Sequence, residues 1–250
     1  MKIPLLGLAI LLLLIVCQGC KKDKDDDSVP VQTGKIAGSL KLTDEFGIEL
    51  TNHSGMVVTA TGGQAGITTA TGTYQVSDLA TGTYNLEYQK AGYGTYKRFN
   101  VQVMAGSAAT TLNGVDFLGQ KSSTEISGLS VALNSADSTY SIGCTVSPTP
   151  DAINQRAFRL FFGKTATMSY QDYQFTPSNS WVSSTANGQI TGYARSQFYT
   201  NGFAAGETVY VIAYGESIRT NTYTDPVTNK KIFPNINTNV PSNMVSFVLQ

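Results

Sequence analysis

Hydrophobic and polar positions along this chain follow the rhythm of strands. From Gly34 onward, short runs rich in Val, Ile, Leu, Tyr and Thr cover residues 35–42, 56–60, 73–76, 83–90, 96–103 and 110–117. Gly, Asn and Asp separate them, as β-branched and aromatic strand formers require. Within 83–90 the alternation is strict: Tyr84, Leu86 and Tyr88 fall on one side and Asn85, Glu87 and Gln89 on the other, the signature of a sheet with one wet face. Asp44 to Gly47 reads as a turn, and Gly72 and Gly82, each preceding a Thr-Tyr pair, stand where a tight connection needs positive φ. A polar joint at 120–123 precedes a second series of runs at 126–133, 139–146, 158–162, 189–194, 206–214 and 242–249. The only helical candidate is 151–157, a turn or two at most. The pattern predicts an all-β chain of two consecutive β-sandwich domains, 34–120 and 124–250.

The front of the chain has a different pattern. Lys2 is followed by an apolar run of 14 residues from Ile3 to Val16 that contains Pro4 and Gly7, whereas a spanning helix needs roughly 18 or more. A positive start, a short apolar stretch and a small residue are the parts of a secretory signal peptide, here 1–19. Gly19-Cys20 resembles the lipobox of bacterial lipoproteins, although Cys17 occupies a place where Leu is usual. The resemblance implies cleavage before Cys20 and a diacylglycerol on its thiol; Cys17 is the poorer acceptor because bulky Val16 precedes it. Each buried lipid methylene contributes about 0.8 kcal/mol, so two or three acyl chains tether a protein to a membrane where one does not. Seven consecutive charges, Lys21 to Asp27, make 20–33 a solvated, disordered linker. The run also resembles the acidic export signal of Bacteroidetes-type surface lipoproteins, with more lysines than usual. That likeness implies an outer-membrane protein, lipid-anchored and facing the cell exterior.

Charge and cysteine content narrow the partners. After cleavage 16 basic and 17 acidic side chains remain, a balance that gives no long-range attraction for nucleic acid. Of three cysteines only Cys144 is left in the folded part, so no internal disulfide forms, and Cys144 reads as a small core residue. The 231 residues of the mature chain are enough for two cores at ordinary domain sizes.

Residues 34–119 resemble the carboxypeptidase regulatory-like family of transthyretin-like sandwiches. The likeness is carried by Gly38, the Asp44 to Gly47 turn, Gly72-Thr73-Tyr74, Leu79 to Leu86, Ala91-Gly92-Tyr93 and Val101-Gln102-Val103. One departure is Thr69-Ala70-Thr71, where a Thr-Asp pair is common. The resemblance implies a supporting or interaction module and carries no catalytic residue onto the chain. At the other end, Gly206 to Tyr214 and Ser242 to Leu249 resemble the last two strands of fibronectin type III-like domains in bacterial surface proteins. Between those strands lie the 27 residues of 215–241, far longer than a hairpin connection. Asn221 to Thr224 and Lys230 to Phe233, around Asp225 to Asn229, read as a protruding hairpin. A second irregular stretch, 163–185, carries Tyr170, Tyr173, Phe175 and Trp181. Long loops on a rigid sandwich are where such folds keep their recognition sites.

Catalytic constellations are scarce. The single histidine, His53, sits in Thr51-Asn52-His53-Ser54-Gly55 and reads as an exposed turn residue. One His and one remaining Cys make neither a zinc set nor a Cys-His dyad. Asp44-Glu45 reads as turn chemistry, and there is neither a phosphate-binding loop nor a nucleophile elbow. No enzyme, cofactor or metal is expected; calcium at Asp225 would rest on an isolated acid. The candidate ligand-binding residues are Trp181, Tyr199, Tyr223 and Phe233, whose rings offer large area with few rotors to freeze. Against this stand a core role for Trp181 and a hairpin-zipping role for Tyr223 and Phe233. The expected function is non-catalytic: a first domain that supports, and a second that presents loops to an extracellular glycan or protein. Two alternatives remain at this stage, a fimbrial-type assembly component that exchanges strands and an accessory subunit of a glycan-uptake complex.

Overall fold

Alternation in the first half of the chain produces two facing sheets. The computed structural model describes residues 32–250 apart from Ser107; the signal peptide expected at 1–19, the expected lipidation site Cys20 and the charged run of 21–27 lie outside the described residues. The strands are β1 (Gly34–Thr43), β2 (Val57–Ala60), β3 (Ala65–Ile67), β4 (Thr73–Leu79), β5 (Gly82–Gln89) and β6 (Tyr96–Val103), then β7 (Ala109–Thr111) and β8 (Asp116–Gly119). One sheet has the order β4-β1-β7 with β8 also on β1, and the other has the order β3-β2-β5-β6. Leu40, Leu42, Val58, Val76, Leu86 and Tyr88 fill the space between them with 1% exposure or less. Each such side chain contributes roughly 1.5–3 kcal/mol on burial. The Tyr74 and Tyr88 hydroxyls, 2.8 Å apart, satisfy each other inside this core.

Three sequence expectations change here. The single run at 110–117 is two short strands, β7 and β8, because Gly114 turns the chain between them with φ +82°; both strands run parallel to β1. Gly72 takes the left-handed conformation, φ +86°, whereas Gly82 opens β5 without a positive φ. His53 is not an exposed turn residue. It is 4% exposed, and its Nδ1 accepts the Leu42 backbone N–H at 3.0 Å, so residues 49–55 fold back over β1 and use the ring as a backbone partner.

The second half adds β9 (Glu125–Asn134), β10 (Thr139–Ser147), β11 (Arg156–Gly163), β12 (Ser180–Val182), β13 (Asn187–Ala194), the single-turn α1 (Arg195–Thr200), β14 (Thr208–Glu216), β15 (Tyr223–Thr224), β16 (Lys231–Ile232) and β17 (Val245–Val248). Sheets β13-β10-β9 and β12-β11-β14-β17 face each other, and β15 pairs with β16 as a separate hairpin. The fold is all-β with several sheets, in keeping with β-sandwich architecture. No helix forms at 151–157: the Asp151 carboxylate accepts the backbone N–H groups of Ile153 and Asn154 at 2.8 and 2.7 Å, a local turn that competes with helix, and β11 begins at Arg156. Cys144 is buried at 7% exposure, and its thiol is pushed up to about 11 by that burial.

Every residue of β11 is buried, so this strand is covered on both faces. Phe158, Leu160 and Phe162 face the core shared with β9, β10 and β13, while Phe161 packs on the other side with Met168, Ile212, Tyr214, Phe233 and Ile236. The irregular stretches after β11 and β14 supply that second cover. They also bind the two halves together. Asn235 accepts the Gly94 N–H at 3.0 Å and donates to the Gly119 carbonyl at 3.0 Å, while Asn221 bonds both the N–H and the carbonyl of Gly119. Glu45 accepts from Ser123 and, at 3.2 Å, from Arg156. Residues 32–250 therefore form one compact unit.

Candidate functional site

The four aromatic candidates occupy three different settings. Trp181 lies on β12, an edge strand, and is 59% exposed; it pairs with Ala157 through the backbone and takes no part in the core. Tyr199 lies on α1, half-exposed, with its hydroxyl donating to the Gln250 carbonyl at 2.9 Å. Tyr223 leans on the first half, its ring 6.4 Å from Tyr96 and 5.9 Å from Phe99. Phe233 is a correction to the expectation of an exposed ring: it is 3% exposed, 5.4 Å from Phe161 and 4.4 Å from the Arg159 guanidinium carbon. Only Trp181 and Tyr199 offer substantial surface, and the four do not form one patch.

The hairpin of β15 and β16 lies on the outer face of β11 and β14. Its turn is set by Asp225, whose carboxylate accepts the N–H groups of Val227 and Thr228 at 2.8 and 3.0 Å, with Asn229 at φ 55° closing it. Those bonds hold the Asp225 carboxyl below its usual range. Tyr173 fastens β16 by donating to the Lys231 carbonyl at 3.1 Å. The hairpin does not seal the face beneath it. On one side of β16 a recess of about 360 Å³ is bordered by Tyr170, Gln171, Lys230 and Ile232. On the other a crevice of about 350 Å³ is bordered by Arg159, Asn179, Thr220 and Thr222. Lys231 and Phe233 belong to both.

The floor of the second crevice is electrostatically unusual. Arg159 Nε donates to Glu216 Oε2 at 2.9 Å, and the Glu216 side chain is fully buried. Burial pushes the Glu216 carboxyl up to about 7 from 4.5, outweighing the downward pull of Arg159, as expected when desolvation exceeds attraction. Glu216 Oε1 has no hydrogen-bond partner among the described residues. A third recess, about 310 Å³, lies between the halves at Tyr96, Asp116 and Arg219; the Asp116 carboxyl, 3.3 Å from Arg98, is raised by burial. Among the described residues no cluster of three His, Cys, Asp or Glu side chains could hold a metal. What these recesses offer is hydrogen bonding, charge and ring contact.

No family model and no curated protein matches the chain. Among solved structures, it is similar to a candidate carbohydrate-binding protein of Bacteroides uniformis at 12% identity, over 86% of this chain and 99% of that one, with a TM-score of 0.33. DUF3823 family proteins are similar too. That of Parabacteroides merdae is 10% identical over 85% and 100% of the two chains, with a TM-score of 0.28. That of Bacteroides ovatus is 12% identical over 87% and 100%, with a TM-score of 0.27. At these values the likenesses assign neither a family nor an activity.

Arg159, Asn179 and Glu216 were not among the sequence candidates. A signal for the ion pair was present: Arg159 interrupts the apolar run of 157–162, and Glu216 ends that of 209–214. A charge inside a buried strand calls for a buried partner. Asn179, in an irregular stretch without periodicity, gave no such signal.

Proposed function

We propose that the protein is a lipid-anchored, non-catalytic surface protein in which a first sandwich domain, 34–120, supports a second, 124–250, that binds an extracellular glycan or protein. Anchoring rests on the Gly19-Cys20 junction, and an exterior position on the charged run after it. The observation that carries the binding role is the outer face of β11 and β14, where loops and hairpin leave two ligand-sized recesses instead of packing shut. Ligand sites occupy roughly 300–1,000 Å³. Trp181, exposed on the adjoining edge strand, supplies a further stacking face, with Tyr223 as a lesser contributor; Tyr199 offers its exposed ring elsewhere, beside Gln250. A fimbrial role has less support. β17 pairs with β14 of its own chain, and the Asn243 carboxamide bonds both the N–H and the carbonyl of Leu129 on β9, bridging the two sheets at that edge.

The test is a screen of glycans and extracellular proteins with the wild type and Trp181→Ala. The expected result is a ligand whose binding the substitution weakens without changing the melting temperature. No ligand in any class, or one indifferent to Trp181 and to changes along the hairpin, would refute the reading.

A further inference from the structure

The crevice on the Arg159 side of β16 is furnished with donors. The Arg159 side chain is 8% exposed. Its Nε is held by Glu216, its Nη1 donates to the Pro177 carbonyl, and the Phe233 ring lies 4.4 Å from its Cζ. Among the described residues nothing accepts from Nη2. Lys231, exposed on the hairpin, borders the same space and has no carboxylate within ion-pair distance among the described residues. Asn179 Nδ2 is buried there without a hydrogen-bond partner. No acid lines the crevice. Two cations, an unpaired amide N–H and threonine hydroxyls, with no carboxylate among them, are complementary to an anion that also carries hydroxyl groups.

We infer that this crevice binds the carboxylate of an acidic sugar residue of the uronic-acid type, with Arg159 and Lys231 on the carboxylate and Asn179 and Thr220 on ring hydroxyls. The inference rests on the binding role proposed above and names its ligand class. The space, about 350 Å³, suits a single ring at the small end of ligand sites. Walls made mostly of hydroxyl and carboxamide groups, with Pro177 and the largely buried Phe233 as the apolar lining, favour a polyol over an acidic peptide. Glu216 strengthens the case, because a carboxyl raised to about 7 by burial carries its proton part of the time near neutral pH and leaves the charge of Arg159 uncompensated.

The experiment is calorimetric titration of the full-length protein, in detergent at low ionic strength, with short galacturonic acid oligomers, their neutral methyl esters and a glutamate-rich peptide. The acid is expected to bind about tenfold more tightly than the ester, the scale of a charge-assisted hydrogen bond. Lys231→Ala, an exposed position that leaves the core intact, is expected to weaken the acid by about fivefold and leave the ester unchanged. Asn179→Ala serves as a second variant: because it removes a partner of the ring hydroxyls, it is expected to weaken acid and ester alike, and a variant that weakens neither would overturn the placement of the sugar. Equal binding of acid and ester would overturn the inference while the proposed glycan recognition stood. Binding of the peptide in preference to the sugar, sensitive to Lys231→Ala, would overturn the sugar assignment. Binding of neither sugar, with a ligand found in the screen above, would overturn the inference alone; binding of neither with an empty screen would overturn both readings.

Discussion

Replacing Glu216 with Gln keeps the side-chain size and an acceptor for Arg159 Nε, and removes only the ability to ionise. In the wild type, burial moves the carboxyl from 4.5 to about 7, so the folded protein holds this proton more tightly than the unfolded chain does. Stability from this source is fully present below pH 4.5 and is lost as pH rises through about 7. At 1.36 kcal/mol per pH unit the difference amounts to about 3 kcal/mol. The glutamine variant lacks this loss, since it resembles the protonated acid at every pH. Other carboxylates titrate alike in both proteins and cancel in the comparison. Urea unfolding followed by circular dichroism should therefore find the two nearly equal near pH 4.5 and the variant ahead by up to about 3 kcal/mol at pH 8. A variant less stable than wild type at pH 8 would refute the reasoning, because the ionised pair with Arg159 would then be net stabilising.

Asn235→Ala should cost about 2–4 kcal/mol in the same assay, since it strands the Gly94 N–H and the Arg219 carbonyl at the junction; a loss under about 0.5 kcal/mol would mean that water replaces the carboxamide freely. Gly72→Ala should be severely destabilising: φ is +86°, and the new Cβ would stand 1.9 Å from the Leu40 carbonyl oxygen. Soluble expression with an unchanged melting temperature would contradict it. Cys144 is buried with its thiol pushed up to about 11, so an aromatic disulfide reagent at pH 8 should label it only as fast as the protein unfolds; prompt labelling under native conditions would show the strand to be open.

Much of the fold was legible because strand alternation is a local signal. Residues 83–90 announce their pleat in sequence, and the hairpin of Tyr223 and Ile232 was readable from its turn chemistry around Asp225. The turn or two of helix that 151–157 could have formed is absent because a single carboxylate at Asp151 captures two nearby N–H groups, a choice that apolar spacing does not register. The lone strand at 110–117 failed at Gly114, where one positive φ redirects the chain. His53 was misjudged because the polar residues around it form a loop that folds inward, and only the tertiary structure supplies the Leu42 N–H as its partner. Trp181 and Tyr199 were identifiable as rings outside the apolar runs, and both are exposed. The burial of Phe233 depends on the outer face of β11 needing a cover, and that need arises only once the strand is seen to be enclosed on both sides. Arg159 and Glu216 are far apart in sequence, and each alone looked like an interruption of an apolar run.

One feature of β1 bears on how such a molecule withstands pulling. It is the first strand of the compact unit, and it is hydrogen-bonded to β4, β7 and β8 along its length. Tension applied at residue 32 along the direction of this strand would load its ladders in shear, because the ladder bonds lie across it. Many rungs must then slide at once instead of opening in turn. Tension of that kind would meet the shear strength of a whole ladder before it could peel the first strand away.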